Sequence, residues 1–566
     1  MKNISATDFI LRIVVISSMF ICFSLNAGAI RPVSLRVEIN EPRSVAVFSL
    51  ELHSCRQRIA FDEGYPGERK ELWKGLDGYV WEGNTLKSAD DACLRTVRFS
   101  VSTEELEIDR TYPLIISSSF GYAIYLSHVL PIDTGTVVAD VLITSRSCAT
   151  HTYKGACRLQ RRISKQEWAN EQPYLVTADI SRSGPGIGVI PEDDVPEWVV
   201  KEVAAYASDA YSTASALLGK PKGEQIPTFV LYQPDVRETT WRGWSSGGSL
   251  FLLLRGKSWS TKTAALDEIL DNFVTHEVLH LWNAWTYNPI DNTPSWLTEG
   301  FAEYLSISLR AAHGRIEASK AAGRILHHIE RCLSALEDPG KSHSTLRAGQ
   351  TVYDCGVTAQ WVIESSYENE QQDIWYIWRR IFSKHPRGFY SLEDIKKDSK
   401  SDGLNWLSNE GDPEALRRTL AALGAVAGPD TNSPEAKKSQ AAAIYTHLLR
   451  QTCDAPPYGF YQNEGYVVLD TGTRCGSLNG SPQAVGINGI NIETGDVSKA
   501  LALLQELCSR KKEVQVNLTN APPRSVRCTQ TFAPPPPSTV ISCVAGGVDC
   551  AVPMRARTGG VTRKVR

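Results

Sequence analysis

A short stretch of the chain combines the residue types and the spacing of a catalytic metal site. His276 and His280 are four positions apart, so on a helix both side chains share one face and can bind the same ion. Glu277 follows the first histidine, where it can act on a metal-bound water rather than on the metal. Catalytic zinc usually takes three protein ligands and keeps a fourth position open, and Glu299 is the best candidate for the third ligand.

The flanking sequence predicts the two helices that must position these side chains. Between residues 267 and 281, apolar residues recur at close to helical spacing, which is typical of a helix inside a domain. The segment 288–294 is rich in loop-forming residues and ends in Thr-Pro, a helix start signal. A second helix is therefore predicted over 295–310, with Glu299 in its second turn. The alternative interpretation is a surface helix that carries two unrelated histidines.

The spacing and the neighbouring residues resemble a known family. His280 and Glu299 are separated by 18 residues, and Glu299 lies inside Trp-Leu-Thr-Glu-Gly-Phe-Ala, which resembles the gluzincin pattern of the zinc aminopeptidase clan. Within that clan, the sequence His-Leu-Trp-Asn from His280 to Asn283 looks most like the glycyl aminopeptidase family. The resemblance implies a multidomain protein with an N-terminal β domain, a thermolysin-like α+β catalytic domain and a small PDZ-like α+β C-terminal domain. It also implies one Zn2+ ion per chain, held by His276, His280 and Glu299.

The resemblance assigns further side chains to this site. Tyr353, in the segment Tyr-Asp-Cys-Gly that opens a later helix, matches the tyrosine that stabilises the oxyanion in the family; alternatively, it packs in the core. Glu303 lies four residues after Glu299 and can orient a ligand histidine, or it is an exposed helix carboxylate. Asn283 can support the site from behind, or it serves in the core or as a cap. Glu277 is the expected general base.

One segment departs from the pattern of the clan. Related families carry a glycine-rich strand before the first helix, and it ends in an acidic residue that helps to hold the free amine of the substrate. The matching segment of this chain contains Gly247, Gly248 and Ser249, which we predict to bind substrate, but it lacks the acid. An edge strand can still pair with an extended peptide backbone. The missing acid therefore argues against recognition of a free N-terminus.

Composition and the N-terminal sequence indicate an exported globular protein. A formal net charge of −3 argues against a general nucleic-acid or anionic-membrane partner. Residues 1–29 read as a signal peptide, with an apolar run and an Ala-Gly-Ala cleavage site that ends at Ala29; an uncleaved anchor is the alternative. No other run is long or apolar enough to span a bilayer. We therefore expect a secreted or periplasmic protein with no integral membrane span after signal cleavage.

The cysteine count suits disulfide bonds in such a compartment. Of the 13 cysteines, one lies in the predicted signal peptide, and the even number that remains is typical of a disulfide-bonded protein. Connectivity cannot be read from sequence. The pairs considered are Cys55 with Cys93, Cys148 with Cys157, Cys332 with Cys355, and Cys543 with Cys550.

Changes in composition divide the chain into segments. We predict a β-rich N-terminal domain at 30–188, a zinc metallopeptidase catalytic domain at 189–428 and a PDZ-like domain at 435–530. The PDZ-like prediction rests on a strand, an Asn-Gly hairpin, a helix and a final strand. It allows a peptide ligand, although a degraded module without a ligand is the alternative. Residues 531–566 form a proline-rich and basic tail that we expect to be disordered.

Together these patterns favour an exported zinc-dependent metallopeptidase, aminopeptidase-like, that hydrolyses peptide bonds in a peptide or protein substrate. An alternative from another class is an envelope protein that binds peptides on a peptidase scaffold without hydrolysing them. The missing acid motivates this alternative, whereas an intact Glu277 argues against it. A third interpretation is a hydrolase of the same clan that acts on a non-peptide substrate.

Overall fold

The computed structural model of the protein describes residues 33–40, 44–61, 73–90, 92–103, 114–119, 121–132, 137–144, 152–153, 156–163, 174–176, 186–236, 239–246, 248–290, 295–337, 349–367, 373–386, 388–399, 402–407, 411–430, 434–454, 458–463, 465–471, 475–492, 494–532 and 538–543. The predicted signal peptide lies outside these residues. Contacts divide the chain into two compact units, Met1–Arg182 and Ser183–Arg566.

The described residues form 27 strands and 11 α-helices. The strands are β1 Val33–Asn40, β2 Val45–Arg56, β3 Arg58–Ala60, β4 Trp73–Gly75, β5 Tyr79–Glu82, β6 Thr85–Ser88, β7 Leu94–Ser102, β8 Ile115–Ser118, β9 Gly121–Tyr125, β10 Val137–Thr144, β11 Thr152–Tyr153, β12 Ala156–Ile163, β13 Tyr174–Val176, β14 Gly186–Pro191, β15 Gln225–Gln233, β16 Thr240–Ser246, β17 Ser249–Arg255, β18 Asn288–Pro289, β19 Phe389–Tyr390, β20 Ala425–Asp430, β21 Gly459–Asn463, β22 Tyr466–Asp470, β23 Gln483–Ile487, β24 Ile490–Asn491, β25 Glu513–Leu518, β26 Arg524–Arg527 and β27 Ser538–Cys543. The α-helices are α1 Leu126–Val129, α2 Glu197–Leu218, α3 Ala264–His280, α4 Ser295–Ala312, α5 Ala318–Glu337, α6 Gln350–Ser365, α7 Ile374–Lys384, α8 Leu392–Ser399, α9 Pro413–Ala422, α10 Pro434–Thr452 and α11 Val497–Ser509. Within the described part of the chain, every helix is too short or too polar to cross a membrane.

The N-terminal unit is rich in strands, as its alternating sequence predicts. Its seven-stranded sheet has the order β11-β12-β10-β1-β2-β7-β4, in which β1 runs parallel to β10 and antiparallel to β2. Along β1, Leu35, Val37 and Ile39 are buried and alternate with less buried residues, the pattern of a strand with one face on the core. Two smaller sheets have the orders β13-β9-β8 and β3-β6-β5.

The second unit begins with a four-stranded sheet of order β14-β15-β17-β16. Strands β14, β15 and β17 are parallel, whereas β16 pairs antiparallel with β17 and lies at the edge. Both faces of β15 and β17 are buried, which explains their nearly continuous apolar sequences. Because β14 belongs to this sheet, the unit starts before residue 189, where the sequence predicts the start of the catalytic domain.

Helix α3 lies at the centre of the second unit. Every side chain from Phe273 to His280 is buried, so the helix is enclosed on all sides near its C-terminus. The Thr263 hydroxyl accepts a hydrogen bond from the Leu266 amide at 3.2 Å and caps the N-terminus. At its other end the helix passes directly into a π-helical turn, Leu281–Thr286, a distortion that is frequent at functional sites.

Helices α4 and α6 approach each other more closely than side chains would allow. A Cβ atom on Gly356 would lie 2.6 Å from the Cα atom of Gly300, and a Cβ atom on Gly300 would overlap the Gly356 backbone. Glycine at both positions therefore lets the two backbones touch. The sequence predicts that α6 begins at Gly356, but the helix begins at Gln350. The prediction is wrong because Gly356 is an interhelical contact inside the helix and does not mark its start.

A buried ion pair joins α3 to α4. Arg310 is fully buried, and its Nε donates to Asp271 Oδ2 at 2.6 Å while its Nη1 donates to Asn272 Oδ1 at 2.9 Å. Arg315 adds a further contact with Asp271. Breaking such a pair by removing one partner costs several kcal/mol, roughly 3–5, because it leaves the other charge buried alone. The pair therefore fixes how the two helices are placed.

Disulfides in the described residues agree with two of the pairs considered from sequence. They join Cys55 to Cys93 and Cys332 to Cys355, the second of which links α5 to α6. The other two predicted pairs involve Cys148 and Cys550, which lie outside the described residues. Two further disulfides join Cys453 to Cys475 and Cys508 to Cys528 in the C-terminal part, and the sequence analysis did not anticipate them.

The C-terminal part of the second unit has its own core and its own sheet. The sheet order is β21-β22-β23-β25-β26, with β24 beside β23. The predicted Asn-Gly hairpin is confirmed, since Asn488 and Gly489 have φ angles of 46° and 82° between β23 and β24. The predicted helix and final strand correspond to α11 and β25.

Part of the predicted tail forms regular structure. The sequence predicts disorder for 531–566, but Ser538–Cys543 forms β27 and pairs antiparallel with β20. The sequence Ser-Thr-Val-Ile-Ser-Cys contains β-branched residues that favour strands, and the pairing satisfies backbone groups that would otherwise need water. The proline run before it and the basic residues at the end of the chain lie outside the described residues.

The glycine contact between α4 and α6 gives a direct test of the fold. We expect Gly356→Ala to lower the stability of the second unit by about 1–3 kcal/mol, because the new methyl group meets backbone atoms of α4. Gly323→Ala is the matched control, since Gly323 is exposed on α5 and has no atom within 4 Å of its Cβ position. Alanine there should stabilise the protein by about 0.5–1 kcal/mol. Urea unfolding followed by tryptophan fluorescence measures both changes, and a stabilising Gly356→Ala would contradict the contact.

Candidate metal centre

Three side chains from α3 and α4 converge at one point. His276 and His280 project from the same face of α3, and their Nε2 atoms are 3.1 Å apart. Glu299 brings its Oε2 to 3.2 Å from His276 Nε2 and to 3.4 Å from His280 Nε2. Helix α4 begins at Ser295, as the sequence predicts, which places Glu299 in the second turn.

The spacing of these three atoms fits a tetrahedral zinc ion. An ion about 2.0–2.1 Å from each ligand atom requires neighbouring ligand atoms to lie about 3.3 Å apart. The three measured separations, between 3.1 and 3.4 Å, are close to that value. Two imidazole nitrogens and one carboxylate oxygen are also ligand types of catalytic zinc, which keeps a fourth position for water or substrate. His276, His280 and Glu299 can therefore hold one zinc ion.

The other ring nitrogen of each histidine is held by a hydrogen bond. His276 Nδ1 donates to Glu303 Oε2 at 2.9 Å, and His280 Nδ1 donates to Asn283 Oδ1 at 3.1 Å. These acceptors favour a proton on Nδ1 and leave the Nε2 lone pair directed at the cluster. Asn283 also donates through Nδ2 to the Thr298 carbonyl at 2.6 Å, which ties the π-helical turn to α4. Glu303 and Asn283 thus lie where they can orient the two imidazoles.

Burial and charge have opposite effects on the pKa values of this cluster. Burial lowers the pKa of His276, but its hydrogen bonds with Glu299 and Glu303 outweigh burial and raise the pKa well above the usual value. Burial raises the pKa of Glu303, but the hydrogen bond and charge of His276 outweigh it and lower the pKa to about 2. For Glu299, burial also raises the pKa, and the two histidines lower it by more. Both carboxylates are therefore ionised at neutral pH.

Glu277 lies beneath the edge strand β16. Its side chain is buried, and a Cβ atom on Gly243 would lie 2.6 Å from its Cγ. Burial raises the pKa of the Glu277 carboxyl, while the charges of His276 and His280 oppose that rise. The sequence analysis missed Gly243, although the segment Thr240–Ser246 around it alternates large and small side chains as a strand can.

Tyr353 lies beside the cluster, in the first turn of α6. Its ring centroid is 5.8 Å from that of His276. Burial is the main cause that raises the pKa of this hydroxyl, and the charges of Glu299 and Glu277 raise it further. The hydroxyl is therefore protonated at neutral pH and can act as a donor.

The predicted substrate-binding segment lies at the turn between β16 and β17. Gly247 is outside the described residues. Gly248 has a φ of 77°, and a Cβ atom there would lie 2.8 Å from Cη2 of Trp285, so glycine is needed for the turn and for this packing. Ser249 is buried and pairs with Ser246 across the hairpin. The glycine that lies against the candidate base is thus Gly243, in the middle of β16.

A second cluster of metal-binding atom types lies in the C-terminal part. His447, Cys508 and Cys528 bring one ligand atom each to within 4.8 Å of one another. The two sulfur atoms form a disulfide, so they are not thiolates that could bind a metal. Among the described residues, the cluster on α3 and α4 is therefore the better metal site.

Comparisons with known proteins identify a likeness in structure only. No protein-family profile matches the chain, and no curated protein matches its sequence. The structure resembles that of an aminopeptidase N family protein from Idiomarina loihiensis, with a TM-score of 0.55 at 10% sequence identity. The match covers 92% of this chain and 99% of that chain. The two proteins share a fold.

Two further solved structures match with lower scores. A variant of an M1 zinc metallopeptidase from Deinococcus radiodurans has a TM-score of 0.39 at 12% identity, over 69% of this chain and 94% of that chain. The native yeast LTA4 hydrolase has a TM-score of 0.39 at 12% identity, over 75% of this chain and 72% of that chain. Scores this low carry no argument about the present chain.

The geometry of the cluster gives a prediction about metal content. We expect the purified protein to bind one zinc ion per chain and His280→Ala to lose it, because two ligands alone bind zinc weakly. His313→Ala is the matched control, since His313 is a partly exposed histidine that bonds to Asp209 away from the cluster. Metal analysis after dialysis against a weak chelator measures both variants. Retention of zinc in His280→Ala would exclude this cluster as the site.

Proposed function

We propose that the chain is a zinc-dependent metallopeptidase. The observation that carries the proposal is the convergence of His276, His280 and Glu299 at distances that suit zinc. The fold shared with an aminopeptidase N family protein supports it. When bound, zinc supplies a Lewis acid that lowers the pKa of water and polarises a carbonyl oxygen.

Glu277 is the proposed general base. Burial raises the pKa of its carboxyl, which makes the carboxylate a better proton acceptor near neutral pH. Glu277 accepts a proton from the attacking water and then gives it to the leaving amine. A protein that only binds peptides has no need of a buried carboxylate in this position, so Glu277 favours hydrolysis over the binding alternative.

Tyr353 is the proposed donor to the oxyanion. Attack on a peptide carbonyl places negative charge on its oxygen, and a preorganised donor stabilises that charge in the transition state. The Tyr353 hydroxyl is suited to this role because its raised pKa keeps it protonated, and because its ring lies 5.8 Å from that of His276 in the cluster.

We propose that an extended peptide lies along β16. Strand β16 pairs with β17 and is the last strand of the described four-stranded sheet, and such an edge strand can pair with an extended peptide backbone. Gly243 supports this path, since a side chain at that position would collide with Glu277. A strand glycine often marks a point where another backbone comes close. Gly247, Gly248 and Ser249 remain proposed substrate contacts at the turn that ends this strand.

Three narrower proposals rest on separate features of the chain. Aminopeptidase-like action and likeness to the glycyl aminopeptidase family rest on the sequence from His280 to Asn283. Export rests on the predicted signal peptide, and disulfides such as Cys332–Cys355 support it because they persist in oxidising compartments. The PDZ-like character of the C-terminal part, and a peptide ligand there, rest on the order of its hairpin, helix and strand.

Substitution of Glu277 by glutamine tests its role as general base. We expect Glu277→Gln to keep its zinc and to lower kcat by at least about 100-fold, since general base catalysis contributes roughly that much. Glu268→Gln is the matched control on the same helix, because Glu268 forms partly exposed ion pairs with Lys320 and Arg324. Hydrolysis of a broad peptide library measures both variants. If the unaltered protein binds zinc but cleaves none of the library, the peptide-binding alternative is favoured.

The missing acid in the strand segment gives a second test. Without a carboxylate there to hold the substrate amine, we expect N-terminal acetylation to change kcat/KM by less than about threefold, since a lost charged contact would cost more. Mass spectrometry of the cleavage sites in matched free and acetylated peptides measures this effect. Loss of cleavage in every acetylated peptide would show that a group outside the strand segment binds the free amine of the substrate.

A further inference from the structure

Helix α5 is joined to α6 at two successive residues beside Tyr353. His328 Nδ1 donates to Asp354 Oδ1 at 2.8 Å, and Arg331 Nε forms a salt bridge with Asp354 Oδ2 at 3.0 Å. The next residue, Cys355, forms the disulfide with Cys332. The first turn of α6, which carries Tyr353, is therefore held by α5.

The same histidine also faces the carboxylate that orients a metal ligand. His328 Nε2 lies 3.8 Å from Glu303 Oε1, and Glu303 Oε2 bonds to His276 Nδ1. The imidazole of His328 thus lies between two carboxylates. Asp354 follows Tyr353 in the chain, and Glu303 is bonded to His276.

We propose that His328 is a positioning residue that couples the placement of Tyr353 to that of His276. This inference rests on the proposed hydrolase function. Through Asp354, His328 sets the rotation of the first turn of α6 and so the position of the Tyr353 hydroxyl. Through Glu303, it limits the movement of the carboxylate that holds His276 in the orientation for metal binding.

The alternative is that His328 only satisfies a buried carboxylate. Asp354 is 2% exposed, and a buried carboxylate without partners is costly. Arg331 would still pair with Asp354 if His328 were lost, and the disulfide would still hold Cys355. Without His328, α6 would therefore still fold, but the Asp354 carboxylate would be held in a different direction.

Two amide substitutions of His328 each keep one contact of the imidazole and remove the other. In His328→Asn, the amide nitrogen can take the place of Nδ1 and donate to Asp354, but it does not reach Glu303. In His328→Gln, the amide nitrogen can take the place of Nε2 near Glu303, but the bond to Asp354 is lost. His327→Ala is the control, since His327 is the adjacent histidine on α5, is 42% exposed and faces Glu330.

The two variants should affect different quantities, kcat in one and zinc affinity in the other. We expect His328→Gln to lower kcat about tenfold with KM changed less than twofold, because Tyr353 acts mainly in the transition state. We expect His328→Asn to keep kcat at saturating zinc but to weaken zinc binding about tenfold, as loss of support behind a ligand does. His327→Ala should match the unaltered protein in both measurements.

A double-mutant cycle with Tyr353→Phe decides between positioning and general destabilisation. If His328 acts through Tyr353, His328→Gln should lower kcat by less than about twofold in the Tyr353→Phe background. The same loss in both backgrounds would overturn the proposal. If the unaltered protein hydrolyses no peptide, the proposed function fails separately, and chelator competition still tests the coupling. Zinc affinity in His328→Asn equal to that in His327→Ala would then overturn it.

Discussion

The backbones of α4 and α6 touch at Gly300 and Gly356, and the arrangement of the candidate site depends on this contact. Gly300 follows Glu299 in the chain, so the contact fixes the candidate ligand relative to α6. Gly356 lies one helical turn after Tyr353, so it fixes the tyrosine relative to α4. Because no side chain separates these two turns, the charge of Glu299 acts on the Tyr353 hydroxyl and helps to raise its pKa.

A chain of hydrogen bonds connects this cluster to the buried ion pair. Arg310 donates to Asn272 at 2.9 Å, and Asn272 donates to Glu303 Oε1 at 3.4 Å, while Glu303 Oε2 accepts from His276. The positive charge of Arg310 is shared between Asp271 and this chain. Carboxylates buried beside a metal centre repel one another unless cations and donors surround them. The ion pair between α3 and α4 therefore supplies part of the electrostatic balance as well as the helix packing.

Sequence reasoning predicted what depends on short-range spacing. The convergence of His276, His280 and Glu299 follows from helical periodicity and a helix start signal, and the Asn488-Gly489 hairpin follows from turn chemistry. What it missed depends on contacts between segments far apart in the chain. No local pattern indicates that Gly243 lies against Glu277, or that Gly356 is an interhelical contact rather than a helix start. Strand β27 was missed for the same reason, since its partner β20 is distant in sequence.

The orientation of the histidines explains why a cation suits the centre of this cluster. Because Glu303 and Asn283 accept the Nδ1 protons, both Nε2 lone pairs point at the same position, and the Glu299 carboxylate adds negative charge there. Without a cation these groups attract protons, which is the physical reason for the raised pKa of His276. A divalent ion satisfies all three groups at once. Metal binding therefore competes with protonation and contributes to the stability of the fold around α3 and α4.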